Sequence, residues 1–320
     1  MTQDRRSSRL SLNERAAALV DRMIADAALL RVGVRIGTEG ETLVDCGHRS
    51  RGSTEAGLRL ARIATGGLAE VSMAASPEGS MGWDVLVRTS QPLLACLGCQ
   101  YAGWHLKSPT GAVLMGSGPA RLLARHEAIL DGIAHHEVAD RAVLLVEGDA
   151  PPDCAIAQSV AEACGIARDR LVLLHSPTGS LTGMTQVAAR VVECAMQKLR
   201  LAEFPPDAII EATGSAPIRP PHPDTRIAMG RANDAIIYGG QVHLVVEGSD
   251  DEAQRLATAL PSSTSSDWGR SFAQVYEAAG GDFSGIDSGL FSPALVTVTA
   301  VESGETFSAG RKQPEWLTDH

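Results

Sequence analysis

The sequence predicts an α+β fold, on three observations. Helical and strand patterns interleave without a steady strand–helix repeat, which argues against a doubly wound parallel sheet. Several strand pairs are joined by short, hairpin-like turns. The 320 residues are 44% hydrophobic and 21% charged, enough to bury a full core in one large domain or two modest ones. Aromatic residues make up only 4%, so Val, Leu, Ile and Ala must fill that core. The division adopted is 1–138 and 139–320, with the boundary in the Gly132–Asp140 stretch.

The elements follow from local pattern. Residues 13–30 place Leu19, Met23, Ala27 and Leu30 on one helical face, with Asn13 as the expected N-cap. Val32–Ile36 and Thr42–Asp45 read as strands about a Gly37–Gly40 turn. Ser53–Ile63 reads as a helix stopped by Gly66-Gly67, and Ala69–Ala74 and Trp83–Ser90 read as strands. Cys96 to Trp104 is rich in turn formers and fits no period. Ala112–Met115 is a short strand, and Pro119 is suited to open a helix reaching Leu130. Ala142–Glu147 and Leu171–His175 read as strands flanking a helix at Asp153–Cys164. One long helix is expected from Leu181 to Leu201, followed by two proline-rich connections. Ala235–Tyr238 and Gln241–Glu247 read as a strand pair turning at Gly239-Gly240. Helices at Asp250–Ala259 and Trp268–Ala278 precede an alternating strand, Ala294–Glu302, and a loose tail from Gly310.

Charge and composition restrict function. With 28 Lys+Arg against 38 Asp+Glu, the net charge is −10. Such a field repels phosphate backbones and argues against general nucleic-acid binding. No apolar run approaches the ~18 residues of a membrane span. The polar start, Met1 to Ser8, has no signal-peptide core, so a cytoplasmic location and no membrane partner are expected.

Metal and nucleophile motifs are weak. Cys96-Leu97-Gly98-Cys99 is a lone CxxC, and neither Cys154/Cys164 nor His135-His136 completes a zinc site, so reduced thiols and no metal are expected. There is no G-x-S-x-G elbow and no spaced His pair. His175, His222 and His243 read as structural. Gly116-Ser117-Gly118-Pro119-Ala120-Arg121 is either a tight turn or a backbone phosphate cradle, although it fails the dinucleotide pattern at Arg121.

The 181–201 segment is the most informative. At about 100° per residue from Val187, residues Glu193, Gln186, Gln197 and Arg190 fall between roughly 240° and 300°. Val191, Ala195, Leu199, Val192 and Met196 form the opposite, apolar side. The polar strip is either a solvated face with an i,i+3 ion pair, or an Arg/Glu pair lining a cleft in which the Glu handles protons.

Several further stretches, in order, carry a resemblance. They are Arg51-Gly52-Ser53, Leu94–Gly98 with Gln100-Tyr101-Ala102-Gly103-Trp104, Gly116-Ser117-Gly118-Pro119 and Thr185–Glu193. Gly214–Pro217 with Pro220–Asp224, Met229-Gly230-Arg231 with Asn233–Gly240, and Leu290–Ala294 complete the set. Over nearly its whole length the chain resembles the methenyltetrahydromethanopterin cyclohydrolases, most closely the bacterial branch that serves formaldehyde oxidation in methylotrophs. The resemblance implies two α+β domains with the active site in the cleft between them, a homotrimer, and no metal or redox cofactor. It implies reversible hydrolysis of the cationic 5,10-methenyl form of the pterin one-carbon carrier to the N5-formyl form. The catalytic Arg and Glu fall on Arg190 and Glu193.

On that reading Glu193 acts as general acid/base and Arg190 positions it. Gln100, Tyr101, Ser117, Gly118, Gln186, Asn233 and Asp234 are the expected substrate-binding residues, because a pterin presents paired donors and acceptors. Two rival functions stay open at this point: a cyclohydrolase acting on the folate carrier, and a carrier-binding protein without turnover.

Overall fold

The computed structural model describes residues 10–76, 81–109, 111 and 113–317. The Met1–Ser8 stretch, Ala112 at the start of an expected strand, and the last three residues of the tail lie outside the described residues.

The strands are β1 (Gly33–Ile36), β2 (Thr42–Asp45), β3 (Glu70–Ala75), β4 (Trp83–Thr89), β5 (Trp104–Lys107), β6 (Val113–Ser117), β7 (Ala142–Glu147), β8 (Leu171–Ser176), β9 (Ile209–Pro217), β10 (Gln241–Val246), β11 (Leu295–Ala300) and β12 (Thr306–Gly310). The α-helices are α1 (Leu12–Ala25), α2 (Ala27–Leu30), α3 (Thr54–Ala64), α4 (Ala120–Ala124), α5 (Cys154–Cys164), α6 (Leu181–Ala188), α7 (Val191–Lys198), α8 (Thr225–Gly239), α9 (Asp250–Ala259) and α10 (Phe272–Ala278). A π-helix spans Leu93–Gln100.

Two six-stranded mixed sheets carry the α+β architecture. The first runs β1-β2-β8-β7-β6-β5, with β2, β8 and β7 parallel and antiparallel hairpins at both edges. The second runs β12-β11-β10-β9-β4-β3, with only β10 and β11 parallel. A cut between residues 138 and 139 separates β5 and β6 from β7 and β8 of the same sheet, while β3 and β4 join strands from the far half of the chain.

Between the sheets lies a layer of helices, and α3 shows why. Its Ala56, Leu60, Ile63 and Ala64 pack with Val44, Val143 and Leu174 of the first sheet. Its Leu58 and Ala61 belong to the core built on Val71, Val87 and Val298 of the second. The helix buries a wide apolar face against both sheets and leaves Glu55, Arg59 and Arg62 on its outer side. Ser53 caps it, accepting from Ala56 N at 3.0 Å, as its place before the apolar run predicts.

Several elements differ from expectation, each for a physical reason. Ser11, not Asn13, caps α1. Asn13 is wholly buried, donating to Pro119 O at 2.9 Å and accepting from Val143 N at 3.0 Å, so it ties α1 to the first sheet. The helix after Pro119 ends at Ala124, where Arg125 turns left-handed at φ 47°. Ala235–Tyr238 is not a strand but the end of α8, whose Asp224 cap accepts from Arg226 N and Ile227 N. A short run of β-branched residues in a buried helix carries no distinguishing period.

The strand β9 lies in a segment rich in Gly, Ser and Pro, yet it sits centrally between β10 and β4. The tail is also ordered: β12 pairs with β11, and Trp316 stacks on Tyr238 at 5.0 Å between ring centroids.

Candidate active site

The expected long helix is two helices. Arg190 sits between α6 and α7 with φ −83° and ψ 1°, and its N–H bonds to Val187 O, three residues back, at 2.9 Å. The break frees the carbonyl of Ala189, and Gln100 Nε2 donates to it at 3.2 Å. Neither glycine nor proline causes this break. A buried side chain at the end of the π-helix takes over a helix hydrogen bond, one of the recognised origins of a kink.

The break aims Arg190 inward. Its guanidinium donates through Nη1 to Gln100 O at 2.6 Å and through Nη2 to Ser117 Oγ at 3.1 Å. Glu193 Oε2 stands 3.6 Å from Nη1. Arg190 and Glu193 are 6% and 4% exposed, so the bland alternative of a solvated ion pair is excluded. Arg190 Nε and Gln100 Oε1 are buried with no protein hydrogen bond. The cluster therefore holds one donor and one acceptor uncommitted, at a place where buried polar groups are normally paired.

Glu193 is electrostatically poised. Burial raises its pKa above the ordinary carboxylate value, while the cations Arg190 and Arg121 pull it back down. It also lies in the first turn of α7, where the helix N-terminus favours negative charge. Tyr101 is half-buried beside it, and burial together with the Glu193 charge raises the phenol's pKa. A cavity of about 180 Å³ opens at Tyr101, lined also by Glu127, Gln197 and Arg200; Arg190 and Glu193 are not among its lining residues. The larger cavity, about 620 Å³, is an open face of the second sheet, where Arg88 pairs with Glu70 and His243 with Thr299; size does not mark the chemistry.

The neighbouring elements hold this geometry. Gly57 lets α3 approach α6, since a Cβ there would lie 2.5 Å from Thr185 Cβ and 2.8 Å from Thr182 O. Gly214 on β9 does the same for α7: a Cβ would lie 3.0 Å from both Val191 and Val192. At the other end of α7, the Lys198 ammonium spends three donors on Pro261 O, Thr264 Oγ1 and Gly289 O. Burial lowers its pKa to about 8.

The expected site residues divide into groups. Gln100, Ser117, Arg190 and Glu193 share one cluster, with Tyr101 at its rim. Gln186 is 1% exposed and donates to Glu147 Oε2 at 2.9 Å, while Thr178 Oγ1 donates to Oε1 at 2.5 Å. Glu147 was not singled out in the sequence. Only its position at the end of β7, where strands of a mixed sheet present functional groups, offered a signal.

Gly118 serves the backbone: its φ is 112°, and its N–H donates to Cys99 O at 2.7 Å. That spent donor, the proline after it and a five-residue helix leave no phosphate cradle at Gly116–Arg121. Asn233 and Asp234 bond elsewhere. Asn233 Nδ2 donates to Met229 O within α8, and Asp234 Oδ1 accepts from Phe272 N of α10 at 2.8 Å. Burial pushes the Asp234 carboxyl up to about 7.

The remaining motifs are structural. Cys96 and Cys99 are buried in the π-helix, and burial raises both thiols, which suppresses nucleophilic character. His175 and His243 bond to Gly148 O and Thr299, and His222 Nδ1 accepts from Asp224 N. Among the described residues no group of three or more His, Cys, Asp or Glu is placed to hold a metal ion, and no helix is long and apolar enough to cross a membrane.

Comparison with known proteins bears on this arrangement. The family profile described as "Cyclohydrolase (MCH)" matches residues 11–320. The methenyltetrahydromethanopterin cyclohydrolase of Methylobacterium organophilum is 45% identical over 308 residues, covering 95% of each chain. That of Methylobacillus flagellatus is 42% identical over 302 residues, 94% of this chain and 92% of its own. The archaeal protein of the same name from Methanocaldococcus jannaschii is 38% identical over 315 residues, 96% and 97% of the two chains.

Proposed function

The chain belongs to the methenyltetrahydromethanopterin cyclohydrolase family, and from that premise we propose how its buried Arg190–Glu193 pair performs the reaction. The protein is a hydrolase that opens a cyclic amidine, interconverting the 5,10-methenyl and N5-formyl forms of tetrahydromethanopterin.

The methenyl carbon lies between two nitrogens in an amidinium cation. It is already electrophilic, so the proposed reaction calls on no metal or redox cofactor. Water must lose a proton as its oxygen bonds to that carbon, and N10 must gain one as its bond to carbon breaks. Glu193 takes the first proton and delivers the second. The hydroxyl proton of the intermediate leaves as the formyl C=O forms, so methenyl cation and water give formyl product and one proton.

The observation that carries this reading is the division of labour on Arg190. Its two hydrogen bonds go to Gln100 O and Ser117 Oγ, and its contact with Glu193 is longer. A guanidinium fixed in this way supplies field without clamping the carboxylate, leaving Glu193 oxygens free to meet water. The field counters part of the burial penalty and so favours the ionised carboxylate that the first step needs. Carboxylate charge beside the attacking water also stabilises the positive charge that develops on its oxygen as it bonds to carbon.

Substrate contacts are proposed at Gln100, Tyr101 and Ser117 around the reacting carbon. The Gln186–Glu147 pair lies further along α6, where an acceptor carboxylate suits the donor edge of a pterin. Asn233 and Asp234 support α8 and α10 behind this wall. We further propose a cytoplasmic homotrimer acting in one-carbon metabolism and formaldehyde oxidation. The test is the absorbance loss of methenyl-tetrahydromethanopterin against methenyl-tetrahydrofolate with purified protein. Faster loss of the pterin carrier supports the reading. Preference for folate, or tight binding without turnover, contradicts it.

A further inference from the structure

We infer that Arg121 is a positioning residue for this reaction, clasped by Glu127 and holding the end of the π-helix from which Gln100 orients Arg190. The inference rests on the reading of Glu193 as the proton-handling group.

Arg121 is a wholly buried cation with all three guanidinium nitrogens hydrogen-bonded. Its Nε and Nη2 donate to the two oxygens of Glu127 at 2.7 and 2.8 Å, a bidentate pair. Its Nη1 donates to three successive carbonyls of the π-helix: Leu97 at 2.9 Å, Gly98 at 3.1 Å and Cys99 at 3.2 Å. These carbonyls belong to the last turn, where a helix lacks its own donors. The next carbonyl, Gln100 O, accepts from Arg190. The same guanidinium lies 5.2 Å from the centre of the Tyr101 ring. One residue therefore fixes the segment that supplies Arg190's acceptor, the cap on Ala189 O and the rim of the site.

Burying an ion pair is costly, and a folded core gains as much from apolar residues of similar volume. A π-helix is itself uncommon and occurs often at functional sites. Placing both beside Glu193 is explained by orientation of the catalytic pair. The charged and titratable groups acting on Glu193 are Arg190 at the helix break, Arg121 on α4, Tyr101 after the π-helix, Cys96 within it and Cys194 beside it. Of these, Arg190 and Arg121 are the cations that favour the carboxylate.

Arg121→Lys keeps the charge but not the fork that reaches five acceptors at once. Arg121→Met/Glu127→Leu removes the pair without leaving a buried charge alone. Both are assayed for kcat, KM and the acid-side midpoint of kcat/KM, with melting curves to establish folding.

Arg121→Lys is expected to lower kcat by about tenfold or more with KM within about threefold, as misplacement of reacting groups does. The double variant is expected to move the acid-side midpoint to higher pH, because Arg121 is one of the two cations that lower the Glu193 pKa and Glu127 is not among the groups that act on it. Folded variants with wild-type kcat and midpoint overturn the inference, as does a kcat loss matching the unfolded fraction with the midpoint unmoved. If neither variant folds, Glu127→Gln decides, since it loosens the clasp and keeps the cation. A fall in kcat with KM unchanged supports the role, and wild-type kcat overturns it. Glu193→Gln is measured alongside: full activity there defeats the parent reading, whereas an inactive Glu193→Gln beside an unaffected Arg121→Lys defeats only this one.

Discussion

Arg190 Nη1 lies 2.6 Å from Gln100 O but 3.6 Å from Glu193 Oε2. The guanidinium is held by the π-helix and by Ser117, and it acts on the carboxylate mainly through its field. A tight, bidentate Arg–Glu bridge would occupy the oxygens that must accept a proton from water. The looser contact gives the pair its division between a fixed cation and an available base.

Arg190→Lys tests that division. Lysine keeps a charge but cannot bridge Gln100 O and Ser117 Oγ as a planar fork. We expect turnover to fall by about 10–100-fold, with a much smaller effect when added to Glu193→Gln, because the two residues act as a unit. Steady-state kinetics on the two single variants and the double variant measure this. Full additivity contradicts it.

Stability should move opposite to activity at Glu193. Its pKa is raised by burial, so the folded state holds the proton more tightly than the unfolded state. Wild-type stability at this residue is greatest at low pH and declines as pH rises from the ordinary carboxylate pKa through the raised one. Glu193→Gln is not subject to that loss. Its melting temperature should match wild type at acid pH and exceed it near neutrality. A variant that melts lower than wild type at neutral pH contradicts the electrostatic account.

Asp234 gives a contrasting case. Its Oδ1 accepts from Phe272 N, and burial pushes its pKa up to about 7. Asparagine retains that acceptor without the charge. We therefore expect Asp234→Asn to keep KM and kcat near wild type. Its stability relative to wild type should rise with pH between the ordinary aspartate value and about 7. A KM increase of about tenfold or more in the folded variant would place Asp234 in direct contact with substrate instead.

Gly214 controls where α7 lies. A side chain there meets Val191 and Val192 at the start of the helix that carries Glu193. Gly214→Val should push α7 off the second sheet, costing roughly 1–3 kcal/mol by overpacking and lowering kcat more than the stability loss explains. Denaturant unfolding and kcat on the same preparation separate the two effects. Wild-type kcat would show that the position of α7 is not critical.

The sequence revealed these features unevenly. The helix opening at Ser53 and the apolar strand β7 follow local rules that the packing reinforces, and they were legible. Arg190 and Glu193 were legible as a strip at helical spacing, and the resemblance distinguished a catalytic pair from a solvated one. The break between α6 and α7 was not legible, because its cause is Gln100, a residue far away in the chain. The strand β9 was hidden for a related reason. Gly214 reads as a loop residue until α7 is seen pressed against it. Glu147 and Arg121 were passed over because their importance lies in partners that only the fold assembles.

On the proposed mechanism the Glu193 carboxylate carries the proton in both steps. The most direct measurement is the rate of absorbance loss of methenyl-tetrahydromethanopterin by purified, folded Glu193→Gln at saturating substrate. A fall of about 10²–10⁴-fold with substrate binding retained is predicted. Turnover within a few-fold of wild type would contradict it, since the amide cannot accept the proton from water.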